Sequence, residues 1–401
     1  MSLELTARTE HGRSLVALAE TLAGEIRGRA SVHDREGTFP FESLEAVKAS
    51  GYLTAPIPEH LGGLGVTSLH DLLVASSRLA RGDAGLALGV NMHLVLVSSL
   101  LRRWQAAVAE DNRRRIDAFA RTLEQVAGDG LVLGTAISER SQDLTRPATV
   151  ATRTDEGWTV SGRKVFCTMS PAADVLFTAV TYVDAEGREL YGYAMVPTAT
   201  PGVVVHDDWD ALGMRASGSN SVSFEDVQLP VSALRGGFPV GSSTGYIERN
   251  LDAGLFHAAT SLGIAESAHD LAAGGIQARE VDPDGRTRTL AAENTVDLAA
   301  CRAVLGRAGD LLDDHYASGS TVDAAPLFAE AQAAKTFVGE AAVRVVDRAL
   351  ALSGGAGYLN GSPLARAYRD VRATAFMHPL GANRAYDYLG ELALGLEPSL
   401  H

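Results

Sequence analysis

Apolar positions in the first 130 residues recur at helical spacing. Leu15, Leu18, Leu22 and Ile26 lie three or four apart and share one helical face. Leu69, Leu72, Leu73, Leu79 and Ala80 repeat the pattern behind Thr67-Ser68, either of which offers a capping hydroxyl. Between them PIPEHLGGLGV, with two prolines and three glycines, forbids a continuous helix.

From about Gly134 the period shortens. Trp158–Ser161, Val175–Val183, Tyr191–Val196, Val203–Val205 and Ser221–Phe224 are short runs rich in β-branched and aromatic residues, divided by turn signals such as Asp184-Ala-Glu-Gly187. Short strands at this spacing predict a small sandwich or barrel, not a parallel sheet of βαβ units. After Pro230 helical periodicity returns. A stripe of Phe337, Ala341 and Val345, widened by Val338, Ala342, Val346 and Ala349, stops at Gly354-Gly355. Arg279–Asn294, which contains Asp282-Pro-Asp-Gly, reads as an exposed loop interrupting these helices. The predicted organisation is an N-terminal helical domain over 1–130, a central β domain over 131–235 and a C-terminal helical bundle over 236–401.

Composition narrows the functions this frame can serve. A net charge of −14 argues against a nucleic-acid partner, which requires a concentrated basic face, and Arg113-Arg114-Arg115 sits beside Glu110 and Asp111 like any solvated helix surface. Cys167 and Cys301 are too few for a disulfide framework or a cysteine-rich metal site. The start MSLELTARTEHGR lacks the basic and apolar regions of a signal peptide, and no uninterrupted apolar run approaches the roughly 20 residues of a membrane span. The expected location is the cytoplasm, with no membrane partner.

Two familiar chemical motifs are absent. Gly62-Gly63-Leu-Gly65 lacks the strand that a dinucleotide fingerprint needs, and HExxH does not occur. Six segments instead follow one another in a recognisable order: FPFESLEAVKASGYLTAPIPEHLGGLGV, TAISER, GRKVFCT, LGMRASGSNSVSFEDVQLP, SLGIAESA and ALSGGAGYLNGSPLARAYRDVRA. Together they resemble the acyl-CoA dehydrogenase superfamily over nearly the whole chain. The resemblance implies an acyl-CoA dehydrogenase-like fold: N-terminal α-helical domain, central β-barrel or sandwich domain, and C-terminal four-helix bundle, assembled as a homotetramer. It also implies a flavin, FAD or FMN, between the β domain and the bundle.

Residue by residue, Ser138 of TAISER matches a hydroxyl on the pyrimidine side of the flavin ring, and Thr168 of GRKVFCT matches a residue near its N5. Phe166 matches an aromatic packing beside the ring. Gly354, Gly355 and Gly357 match glycines that admit the cofactor's phosphate and adenine parts, commonly across a subunit boundary. Reduced flavin carries charge at N1 and O2, so nearby donors suit it. The plainer readings are ordinary strand hydroxyls and a helix C-cap.

The family's chemistry is where the pattern breaks. The glutamate base expected eight residues beyond Arg369-Asp370 is replaced by His378-Pro379. The alternative base position is Ala253; the adjacent Asp252 is rotated by about 100° on a helix. Arg140-Ser-Gln-Asp-Leu-Thr145 replaces the usual phosphate loop, and Arg279–Asn294 lacks the usual Arg-x-x-Phe-Gly. These departures, with Phe166-Cys167, Asp207-Asp208-Trp209, the Gly213-Met214-Arg215 turn and the His-Pro ending, are similar to the superfamily's flavin-dependent monooxygenase branch, exemplified by dibenzothiophene monooxygenase. Arg215 is carried over on this turn as a cofactor-site residue. Such enzymes take reduced FMN or FAD from a separate reductase, bind oxygen at the flavin and need no glutamate base; they need a dry pocket, a donor near N5 and a polar group that steadies the hydroperoxide.

His378 and His93 are the candidates for that group. His93, in Val90-Asn-Met-His-Leu-Val, also reads as a hydrogen-bonded core residue, and His378 as a helix-terminal structural one. The expected function is a flavin-dependent oxidoreductase, a two-component monooxygenase of a small organic molecule. The alternative is an acyl thioester dehydrogenase with a substitute base such as His378, whose imidazole titrates near neutrality. A non-catalytic relative is a third class.

Overall fold

The structure, a computed structural model, describes residues 4–140, 143–279, 282–318, 324–398 and 400. The first apolar faces form α1 (Glu10–Glu36), α2 (Phe41–Ala49), α3 (Leu69–Ala80), α4 (Ala84–Ala109) and α5 (Arg113–Gly128). Ser68 caps α3 by accepting from the Asp71 amide, and Asp83 caps α4 by accepting from the Gly85 and Leu86 amides. α4 is long and apolar enough to cross a membrane, yet it is buried in the protein against α3, α5, the sheet and the C-terminal bundle. Its polar exceptions are internally satisfied in part: Asn91 donates to Thr260 Oγ1 at 2.9 Å.

The middle of the chain forms one eight-stranded sheet: β1 (Leu133–Ala136), β2 (Val150–Arg153), β3 (Gly157–Cys167), β4 (Val175–Val183), β5 (Glu189–Pro197), β6 (Val203–Val205), β7 (Asn220–Pro230) and β8 (Leu234–Pro239). The order is β6-β7-β3-β2-β4-β5-β8, with β1 added in parallel to β4. Strand pairs other than β1·β4 and β2·β4 are antiparallel, as expected for a sandwich or barrel module. β1, β2 and β8 had no clear signature in the sequence.

The C-terminal part holds α6 (Ser243–Asn250), α7 (Ala253–Gln277), α8 (Gly285–Ser318), α9 (Ala325–Ser353), α10 (Pro363–Asp370) and α11 (Ala382–Ala393). α7, α8, α9 and α11 pack as the bundle. The expected long loop at Arg279–Asn294 is corrected: α8 begins at Gly285, because Asp284 accepts from the Thr287 amide at 2.7 Å and starts the helix. The Asp-Pro-Asp-Gly signal marks a helix start, not an extended excursion. One continuous apolar core joins α1, α3 and α4 to the bundle. Its polar centre is Glu266 of α7, which is 1% exposed and accepts from Arg78 (3.2 Å) and Arg81 (2.6 Å) around α3 and from Arg302 (2.7 Å) of α8.

Candidate active site

A cavity of about 590 Å³ opens where α4, β1, β3–β5 and α6–α7 meet the segments 209–214 and 369–378. Leu88, Met92, Leu96, Leu100, Phe177 and Met195 give it a mostly apolar wall. This is the composition of a small-molecule site with a few placed polar groups.

One side carries hydroxyls. Lys164 is buried in β3 and donates to Glu139 at 2.6 Å and to the Ala179 carbonyl at 2.7 Å. Glu139 in turn accepts from the Thr149 amide and hydroxyl. This network fixes the strand end on which Ser138 sits, and the Val165 amide donates to the Ser138 carbonyl at 2.9 Å. β3 then slips register against β7, and Phe166 takes the left-handed conformation (φ 55°). That turn pushes its ring out of the β core, leaving it 65% exposed and edge-on to Trp209 at 6.0 Å. Thr168 follows, its hydroxyl 3.0 Å from Ser219 Oγ, which is 2.7 Å from Ser217 Oγ. Ser138, Phe166, Thr168 and Ser219 all line the cavity.

Large aromatic surface beside a chain of hydroxyls suits a planar heterocycle with polar edges, so these residues fit a flavin ring. Ser138 and Thr168 would face its polar edge and Phe166 its flank.

On the bundle side, His378 and His257 line the same cavity. His378 Nε2 donates to Asn250 Oδ1 at 2.8 Å, and Asn250 Nδ2 donates to the Tyr246 carbonyl at 2.8 Å, which fixes the amide orientation. Nδ1 of His378 is therefore the ring's acceptor. Burial, and then the neighbouring Lys335 ammonium, push the His378 imidazole down to about 3. Burial, followed by Lys335 and His378, does the same to His257. Lys335 itself, pushed down to about 7 by burial, is held by the Met377 and Leu380 carbonyls. Both imidazoles are neutral at physiological pH.

Several expected site residues lie elsewhere. His93 does not reach the cavity. Its Nε2 donates to the Leu53 carbonyl at 3.1 Å and its Nδ1 accepts from the Leu133 amide at 3.0 Å, tying α4 to β1. Burial lowers its pKa to about 4. Arg215 also stays outside: it donates to the Asp34 carbonyl (2.7 Å) and to Asp210 (2.9 Å), so it braces the 209–215 turn while Met214 lines the cavity. Gly354, Gly355 and Gly357 lie beyond the end of α9 and do not line the cavity. A Cβ on Gly354 or Gly355 would meet nothing of this chain, whereas one on Gly357 would collide with Ser353. None of the described residues of segment Arg279–Asn294 lines the cavity. Of the replaced phosphate loop, Ser141 and Gln142 lie outside the described residues.

Ala253 lines the cavity, whereas Asp252 turns away to Arg102 at 2.8 Å, as the helical rotation requires. No aspartate or glutamate lines the cavity among the described residues. Sequence reasoning missed His257, one turn beyond Ala253 on the same face of α7, and that spacing was a usable signal. It also missed Ser219, Asn250, and three arginines that line the cavity, Arg103, Arg235 and Arg249.

Comparison with known proteins fits this geometry. Residues 9–107, 134–227 and 255–379 match the acyl-CoA dehydrogenase N-terminal, middle and C-terminal domain models. The chain is 34% identical to L-evernosamine nitrososynthase of Micromonospora sp., over 97% of this chain and 92% of that protein. It is 31% identical, with a TM-score of 0.91, to KijD3 in a structure with FMN and dTDP-3-amino-2,3,6-trideoxy-4-keto-3-methyl-D-glucose, covering 100% of this chain and 98% of that one. Methanesulfinate monooxygenase MsuC from Pseudomonas fluorescens shares the fold at 24% identity (TM-score 0.81; 96% of this chain and 98% of that one). With all three domain models matched in order, this chain belongs to the acyl-CoA dehydrogenase family of flavin-dependent oxidoreductases.

Proposed function

We propose that the protein is a flavin-dependent monooxygenase that oxidises the amino group of a nucleotide-linked amino sugar. The carrying observation is a cavity that no carboxylate lines among the described residues: both base positions of the family are filled by His378 and Ala253. Dehydrogenation α to a thioester needs a base matched to a weakly acidic proton. An imidazole held down to about 3 is a poor one, so His378 does not replace the glutamate as a base. An amine substrate needs something else, an acceptor that steadies its neutral, nucleophilic form. Nδ1 of His378 supplies it, aimed by Asn250. The relatives named for nitrososynthase activity and for an amino-sugar nucleotide complex support the same substrate class.

Reduced flavin, delivered by a separate reductase, supplies the two electrons that let O2 place one oxygen on the amine nitrogen and leave as water with the other. The chain's own residues do the rest. Ser138, Thr168 and Ser219 hold the ring's polar edge, the α4 and β5 side chains exclude water, and His378 receives a hydrogen bond from the amine. The test is direct: protein, reduced FMN, oxygen and a dTDP-linked 3-amino sugar, with products read by mass spectrometry. Hydroxylamino and nitroso products support the proposal. Acyl-CoA desaturation without amine oxidation overturns it.

A further inference from the structure

Three guanidinium groups crowd one wall of the cavity without a carboxylate among them. Arg103 comes from α4, Arg235 from β8 and Arg249 from α6, and all three line the cavity. None takes part in an ion pair among the described residues, although most other arginines of the core do. Two of them lie over aromatic rings instead. Arg249 lies 4.0 Å above the Tyr193 ring, which stacks on Phe177 at 4.9 Å, and Arg235 lies 5.3 Å from the Phe119 ring. Rings orient a guanidinium but do not neutralise it. The nearby charges are mutually repulsive: Arg249 and Arg235, after burial, depress Arg103 to about 9, and Arg115 adds to this. Glu248 offers only a weak offset to Arg249. Three half-buried like charges in a mostly apolar cavity are costly unless an anion joins them.

The sheet separates this wall from Thr168 and Ser219. Thr168 and Ser219 belong to the β3–β7 side, whereas Tyr193 and Arg235 are register partners on β5 and β8. β1, bearing Thr135 and leading to Ser138, lies between them against β4. A flavin ring on the hydroxyls therefore leaves the arginines for the other ligand. Arg249 also adjoins Asn250, which holds His378.

We infer that Arg103, Arg235 and Arg249 form the subsite for the diphosphate of a nucleoside-diphosphate-linked substrate, placing its sugar between the arginines and the flavin side beside His378. A diphosphate brings two negative charges and several acceptor oxygens to three donor forks, where one carboxylate would leave most of them unpaired. This inference rests on the function proposed above.

Binding of dTDP to the purified protein, read by calorimetry without turnover, tests it. Thymidine, inorganic pyrophosphate, CoA and FMN serve as comparison probes. The expected result is that dTDP binds far better than thymidine and is displaced by pyrophosphate. Arg103→Gln and Arg249→Gln should each weaken dTDP by about ten- to a hundredfold, the size expected when a charge-assisted contact is lost, with FMN affinity kept within about twofold. Arg249→Lys should recover part of the loss, and thermal melting checks that each variant folds. Unchanged dTDP affinity in these variants would overturn the subsite. So would loss of FMN affinity instead, which would assign the arginines to the cofactor phosphate. Arginine-dependent CoA binding with no dTDP binding would also overturn it, in favour of an acyl thioester. Intact arginine-dependent dTDP binding with no amine oxidation would refute the proposed reaction and leave the subsite standing.

Discussion

His378 Nε2 sits 2.8 Å from Asn250 Oδ1, and this contact leaves Nδ1 as the ring's acceptor. The expected consequence is that His378→Ala lowers kcat for amine oxidation by about ten- to a hundredfold, the usual scale for one positioned proton-handling group. Asn250→Ala should lower kcat in the same direction, because the ring loses its fixed tautomer, while FMN affinity stays unchanged in both. Steady-state kinetics and flavin titration check this together. A parallel loss of FMN affinity would place these residues at the cofactor instead.

Three neutral histidines make the fold acid-sensitive. His93 and His257 are held far below the ordinary value of 6.5, at about 4 and about 3, chiefly by burial. Their folded forms resist protonation, so the unfolded chain binds more protons as the pH falls below 6.5. Stability is complete above that pH and is lost on descending toward 3. Between pH 6.5 and 5 each fully buried histidine costs up to about 2 kcal/mol. Urea titrations across this range measure it. His93→Gln should flatten the slope while lowering stability at pH 7 by about 1–3 kcal/mol through two lost backbone contacts.

Glu266 concentrates the cost of assembling the helices. Replacing it by Gln leaves Arg78, Arg81 and Arg302 around a neutral amide in a buried position. The expected loss is about 3–5 kcal/mol of stability, because the charges left behind stay buried. Thermal denaturation shows it, and a change under 1 kcal/mol would mean that water reaches the cluster.

Ser219 is the joint of the hydroxyl chain, touching both Thr168 and Ser217. Ser219→Ala should weaken FMN by about fivefold, the worth of one net hydrogen bond. The amine product should not change. Equilibrium flavin titration is the readout.

The three-part layout was legible because its signals are local. The 3.6-residue stripes of α1, α3 and α9, the alternating strands and the Gly354 stop all depend on neighbours a few residues away. Ser138, Phe166 and Thr168 stand in short motifs, and all three line the cavity. What was not legible depends on distance in space. His93 looked reactive in an apolar run, but its partners at residues 53 and 133 lie 40 positions away on each side. Arg103, Arg235 and Arg249 come from three elements and carry no joint motif, so only the folded sheet brings them together. The Asp-Pro-Asp-Gly run misled because turn residues and helix caps share one chemistry, a side-chain oxygen taking a free amide.

Oxygen isotope tracing on a dTDP-linked 3-amino sugar tests the central claim most directly. With reduced FMN and 18O2, the account predicts a product carrying label on the amine nitrogen, lost in proportion to activity in His378→Ala. An unlabelled or unchanged amino sugar, alongside anaerobic desaturation of an acyl thioester, would contradict it.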